Sequence, residues 1–101
     1  MKTYQDRSGV TGVISKETVP LQEVKSRLME FLGSEIFDPS VQIEEGTDLL
    51  EAGLDSMSLL QILMFVESSF DLRIPEAEIN EERIRFPDSI AQLIYELQAE
   101  R

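Results

Sequence analysis

The 101-residue chain contains no cysteine, no histidine and no tryptophan. Without cysteine there is no disulfide framework, no thiolate nucleophile and no Cys-ligated metal or cluster. Without histidine as well, Ser-His and Cys-His nucleophile pairs and ordinary zinc sites are excluded. Catalysis by the chain itself would rest on carboxylates, lysine or tyrosine alone. Positive charge is also scarce: 9 Lys plus Arg stand against 20 Asp plus Glu, a formal net charge of −11. Bare nucleic acid and anionic membrane surfaces both call for clustered positive charge, so neither is an expected partner. No run of about eighteen apolar residues occurs, so no membrane span is expected. Residues 1–17 hold too few apolar positions (Val10, Val13, Ile14) for a signal peptide. A cytoplasmic monomer is expected.

What is present fits one small domain, because 42% apolar residues in a chain of this length supply one core and not two. The acid is unevenly spread. Residues 1–40 carry five bases and six acids, whereas residues 41–101 carry four bases and fourteen acids. No Lys or Arg stands between Arg27 and Arg73, an interval that includes Glu44, Glu45, Asp48, Glu51, Asp55 and Glu67. A solvated acidic surface is the plain reading of such a run, and a basic partner is the sharper one.

Apolar spacing predicts an all-α chain. Residues 1–17, with Gly9 and Gly12, read as a flexible N-terminal extension holding at most a short extended piece at Val10–Ile14. A first helix is expected to open around Thr18–Pro20, to run along Leu21, Val24, Leu28, Phe31 and Leu32, and to stop at Gly33. Residues 34–55 form a long connection anchored by Ile36, Phe37, Val41, Ile43, Leu49, Leu50 and Leu54. Within it, one helical turn is expected, opened by Thr47 and closed by Gly53. A second helix over 56–70 places Leu59, Ile62, Leu63, Val66 and Phe70 on one arc, with Ser58, Gln61, Ser68 and Ser69 opposite. Phe65 projects from that polar arc, flanked by Met57 and Met64. It is either covered by the neighbouring loop or part of a partner-binding patch. A short third helix from Asn80, with Glu81 and Glu82 in its first turn, and a last helix from Pro87 along Ile90, Leu93, Ile94 and Leu97 complete the set. The architecture expected is a small four-helix bundle, three longer helices plus a short third, with a long first loop.

Chemistry concentrates at Gly53-Leu54-Asp55-Ser56. A serine at the mouth of a strongly apolar helix, after a long acidic loop, offers its hydroxyl where an attached oxyanion meets the positive end of the helix dipole. Ser58, Ser68 and Ser69 lie within the helix and are weaker candidates. Around Asp48-Leu49-Leu50-Glu51-Ala52-Gly53-Leu54-Asp55-Ser56-Met57 and Phe70-Asp71-Leu72-Arg73-Ile74-Pro75 the chain resembles the acyl carrier protein family, including its peptidyl and aminoacyl carriers. The resemblance runs from about Val19 to Leu97 and makes 18–101 the carrier domain.

That resemblance implies that a phosphopantetheinyl transferase moves 4′-phosphopantetheine from coenzyme A onto Ser56. The arm's thiol would then carry acyl or aminoacyl groups as thioesters, delivered by a loading ligase and used by downstream synthase enzymes. The pathway would be fatty-acid, specialised lipid, polyketide or nonribosomal biosynthesis. The missing cysteine is then supplied by the cofactor, and the protein is a carrier rather than an enzyme. Asp55 is expected to cap the helix and, by the resemblance, to contact the transferase, and Met57, Gln61, Met64, Phe65 and Glu67 are the remaining candidate partner-binding residues. One departure stands out: the solvent face of the second helix, acid-rich in familiar fatty-acid carriers, keeps only Glu67 here. A more apolar and less salt-sensitive docking contact is therefore expected. The longer stretch from Ile79 to Ile90 is closer to the spacing of free-standing aminoacyl and peptidyl carriers, or of carriers in specialised pathways. The rival reading is a non-modified acidic interaction module that binds through Met57, Met64 and Phe65. A calcium loop has no support, because Asp48 to Glu67 lacks the Asp-x-Asp-x-Asp-Gly pattern, and a carboxylate-pair hydrolase has no visible pairing.

Overall fold

A computed structural model describes residues 18–100, and among them the regular structure is entirely helical. The expected N-terminal extension, 1–17, with its extended piece at Val10–Ile14, lies outside the described residues. The elements are α1 (Leu21–Phe31), α2 (Leu49–Ala52), α3 (Ser56–Phe70), a 3-10 turn at Glu76–Glu78, α4 (Glu81–Ile84) and α5 (Pro87–Glu100). These are the four expected helices plus the single turn foreseen in the long connection.

α1 starts one residue later than proline in the first turn implies. Pro20 is its N-cap, and the Pro20 carbonyl accepts from the N–H groups of Glu23 and Val24, both at 3.0 Å. Gly33 does not end it. The chain winds on as a wider π-type turn over Leu32–Ile36, closed by Phe37 N–H donating to the Leu32 carbonyl at 3.0 Å. Leu32 is fully buried, and burying it keeps the backbone wound past the glycine. In the long connection, Asp48 and not Thr47 caps α2. Thr47 Oγ1 is occupied in accepting from Glu44 N–H at 2.7 Å. Gly53 does close α2, with φ at +112°, a conformation that strains any residue with a Cβ. Val41, expected as an anchor, faces solvent.

The core joins Val24, Leu28 and Leu32 of the first helical stretch, Leu49 of α2, Ile62, Val66 and Phe70 of α3, Ile74, and Ile90, Ala91, Leu93 and Ile94 of α5. α1 and α5 run antiparallel, since Val19 meets Gln98 while Lys25 meets Asp88. Gln98 is the one buried polar side chain of the described residues. Its amide is satisfied by the Val19 backbone in both directions, at 2.9 and 3.1 Å. Arg27 ties α1 to the end of α3, where Nη1 donates to the Ser69 carbonyl at 3.3 Å and the guanidinium lies over the Phe70 ring.

Candidate functional site: Ser56 at the mouth of α3

Ser56 is exposed and is the first residue of the fifteen-residue α3. Asp55 caps the helix, with Oδ1 accepting from Ser58 N–H at 2.8 Å. That bond holds the Asp55 carboxyl below its ordinary pKa, so it stays ionised beside the serine. Only Leu54 and Asp55 separate Gly53, the end of α2, from Ser56. The orientation of α2 therefore passes almost directly to the serine.

α2 is fixed twice. Asp48 Oδ1 accepts from Leu50 and Glu51 N–H at 3.1 and 3.2 Å, while Oδ2 accepts from Arg85 Nε at 2.8 Å. The Arg85 guanidinium is the largest influence that lowers the Asp48 pKa. The Arg85 carbonyl in turn accepts from Leu49 N–H at 2.7 Å. A cavity of about 310 Å³ lies beside Ser56, lined by Leu50, Leu54, Asp55, Leu59, Glu81 and Ile84. Its walls are mainly apolar and its charged groups are acidic.

These residues fit a phosphopantetheine arm. The hydroxyl is accessible, the positive end of α3 faces an oxyanion on it, and the adjoining apolar cavity offers room for the arm's aliphatic part. Ser56 Oγ would hold the group, with Leu50, Leu54, Leu59 and Ile84 beside it. A larger cavity of about 520 Å³ lies elsewhere, among Glu45, Gly46, Arg83, Phe86, Asp88, Ser89 and Gln92. Its charged groups are engaged: Arg83 with Glu96 at 2.7 Å, and Asp88 and Glu45 with Lys25 at 3.0 and 3.5 Å. No grouping of acids among the described residues forms a metal site.

The expected partner-binding residues divide. Met57, Gln61, Met64 and Glu67 are exposed on one side of α3. Leu60, half exposed between Met57 at 66% and Met64 at 60%, completes that stripe and was not foreseen. Its place at i+3 from Met57 and i−4 from Met64 carried the signal. Phe65 is half-buried at the border of this side, where it lines a surface pocket with Gln61 and Met64. Its ring stacks on Phe31 of α1 at 4.3 Å between centroids and meets Phe70 edge-on at 5.8 Å. The aromatic that breaks the polar arc is thus held mainly by α1, not by the long loop. Glu67, the one acid on this helix, pairs with Arg73 at 3.4 Å. Ser68 Oγ donates to the Phe65 carbonyl at 3.2 Å, and Ser58 and Ser69 are half-buried, which leaves Ser56 as the accessible serine at a helix start.

The family model described as "Phosphopantetheine attachment site" matches residues 22–94. The chain belongs to that family. It is a phosphopantetheine carrier protein of the acyl carrier protein family, and its cofactor is covalently attached 4′-phosphopantetheine. The non-modified interaction module falls with that assignment. D-alanyl carrier proteins from strains of Streptococcus thermophilus are 32% identical over 76 residues, 74% of this chain and 95% of theirs. A crystal structure of Bradyrhizobium japonicum glycine:[carrier protein] ligase complexed with glycylated carrier protein contains a chain of the same fold. It superposes with a TM-score of 0.57 at 20% identity, over 72% of this chain and 96% of that one. Among the described residues no helix is long and apolar enough to cross a membrane.

Proposed function

We propose that Ser56 is the attachment serine and that the carrier conveys aminoacyl groups. The observation that carries the attachment site is the exposed Ser56 hydroxyl at the start of α3, beside its own apolar cavity. In the loading step Ser56 Oγ attacks the coenzyme A phosphorus that bears the pantetheine. An Oγ–P bond forms, the P–O bond to adenosine 3′,5′-bisphosphate breaks, and the serine proton goes to a base of the transferase. This chain's part is to present the hydroxyl and cap the helix behind it.

The aminoacyl reading is supported by the relatives named D-alanyl carrier proteins, and the same fold occurs in a glycine:[carrier protein] ligase structure complexed with glycylated carrier protein. A ligase of that class would activate an amino acid and transfer it to the arm's thiol. The exposed Met57, Leu60 and Met64, with Gln61 and the Glu67–Arg73 pair at the edge, form the docking face for transferase and ligase. Asp55 contributes at the serine end. Incubation with coenzyme A and a broad-specificity phosphopantetheinyl transferase, followed by mass spectrometry, is expected to show one adduct that Ser56→Ala abolishes. Holo protein offered amino acids with a D-alanyl or glycyl ligase should gain a thioester that hydroxylamine removes. Charging by a fatty-acyl ligase alone would overturn the aminoacyl reading.

A further inference from the structure

We propose that Arg85 is a positioning residue for the reaction at Ser56, acting through Asp48; this rests on Ser56 being the attachment serine. The acidic stretch before Ser56 has no cation of its own, since no Lys or Arg stands between Arg27 and Arg73. Lys25 reaches Glu45 at 3.5 Å, and the cation that serves Asp48, at the start of α2, comes from 37 residues further on. Arg85 makes two bonds to the start of α2, through its side chain to Asp48 at 2.8 Å and through its carbonyl to Leu49 N–H at 2.7 Å. Its guanidinium also sits 6.0 Å from the Phe86 ring centroid.

The consequence follows from connectivity. Leu50 and Leu54 form one wall of the cavity beside Ser56, and Glu81 and Ile84 form another. Arg85 directly follows Ile84, and Asp48 stands two residues before Leu50, so the Asp48–Arg85 pair joins both walls at one edge. α2 is a single turn and ends at a left-handed Gly53, with Leu54 N–H bonded back to the Leu49 carbonyl at 2.9 Å. Such a short element has little stability of its own. Its orientation, and with it that of Gly53-Leu54-Asp55-Ser56, is set by what clamps it. Substituting the Arg85 side chain removes the Asp48 half of this clamp and leaves the Leu49 N–H bond to the residue-85 carbonyl, the burial of Leu49 and the α3 cap at Asp55 in place.

The test uses the full chain, coenzyme A and a broad-specificity transferase, below the unfolding midpoint of every variant. Arg85→Gln is expected to lower kcat for loading about tenfold, as small misplacements of a reacting group do, with a much smaller change in KM for the carrier. Arg85→Lys is expected to recover part of the loss, because it keeps the charge without the planar fork. Lys25→Gln, which frees Asp88 and Glu45 on another side of α5, should load as wild type. Amide exchange at Leu50 and Glu51 should quicken in the Arg85 variants alone. Unchanged kcat in Arg85→Gln, or in Arg85→Lys should the first fail to fold, despite quickened exchange, overturns the proposal. A loss confined to KM also overturns it by making Arg85 a docking contact, as does an equal loss in Lys25→Gln. No adduct on wild-type protein overturns the Ser56 reading itself, and this one with it.

Discussion

Along α3, beyond Ser56, the exposed surface is apolar and close to neutral: Met57, Leu60 and Met64 stand in solvent, and Glu67 is paired with Arg73. On the other side of the same serine, Asp55 and Glu81 line the cavity that it borders. The acidic side has a structural origin. Three helices begin in the two segments that wall this cavity, and each opening turn favours acids and capping oxygens. Asp48 caps α2 with Glu51 in its first turn, Asp55 caps α3, and Asn80 caps α4 with Glu81 and Glu82 in its first turn. Part of the net charge of −11 therefore belongs to acids that open these three helices. The apolar side has no such internal use, which is why we assign docking to it.

The sharpest division between fold and docking falls within α3 itself. Phe65→Ala is expected to destabilise by about 3 kcal/mol, read from denaturant midpoints, because it deletes a ring packed on Phe31 and Phe70. Its effect on partner affinity below the unfolding transition should be small. A large affinity loss with unchanged stability would return Phe65 to the docking face. The exposed stripe should behave in the opposite way. Met57→Ala, Leu60→Ala and Met64→Ala together should shift stability by no more than about 0.5 kcal/mol. They should weaken ligase binding about tenfold, or about 1.4 kcal/mol, measured by the ligase's KM for the holo carrier.

A smaller effect separates the two sides by salt. Exposed charge pairs are screened within about 10 Å at 0.1 M ionic strength, whereas apolar contacts are not. Raising salt from about 0.05 to 0.5 M should change the ligase's KM by less than about threefold if the stripe dominates docking. A steep rise would shift recognition to the Glu51–Glu81 side.

The helices and their burial were largely legible in the sequence because periodicity reports directly on which face is covered. Val24, Leu28, Ile62, Val66, Ile90 and Ile94 are buried as their spacing required. The helix boundary at Ser56 was legible too, since Asp55, Ser56 and Gly53 signal a helix start just after a helix stop. What was not legible depended on contacts between distant segments. Phe65 looks exposed on a helical wheel, and only the approach of Phe31 explains it. Gly33 is a good stop locally, but burial of Leu32 carries the winding past it. Thr47 and Asp48 are both competent caps, and Arg85, 37 residues away, is the partner Asp48 gains in that position. Leu60, half exposed, was within reach of the Met57–Met64 spacing.

The acidic side also makes a prediction about pH. Asp48 is held below its ordinary pKa chiefly by Arg85, Asp55 by Ser58 N–H, and Glu96 by Arg83. In each case the folded chain favours the ionised carboxylate more than the unfolded chain does. Their contribution is therefore complete above the unfolded carboxylate values, near 4, and is lost as pH falls through the lower folded values. Lys25 has the opposite sign, since hydrogen bonding to Asp88 raises its pKa. Its contribution is complete below the unfolded lysine value, near 10.4, and is lost as pH rises through the folded one. Arg85→Gln should consequently flatten the acid limb of a stability–pH profile, with its largest loss of stability at neutral pH and convergence on wild type in acid. Lys25→Gln should flatten the alkaline limb instead. An Arg85→Gln profile parallel to wild type across the acid limb would show that Asp48 gains nothing from Arg85 in solution. The acids around Ser56 would then stand on their helix starts alone.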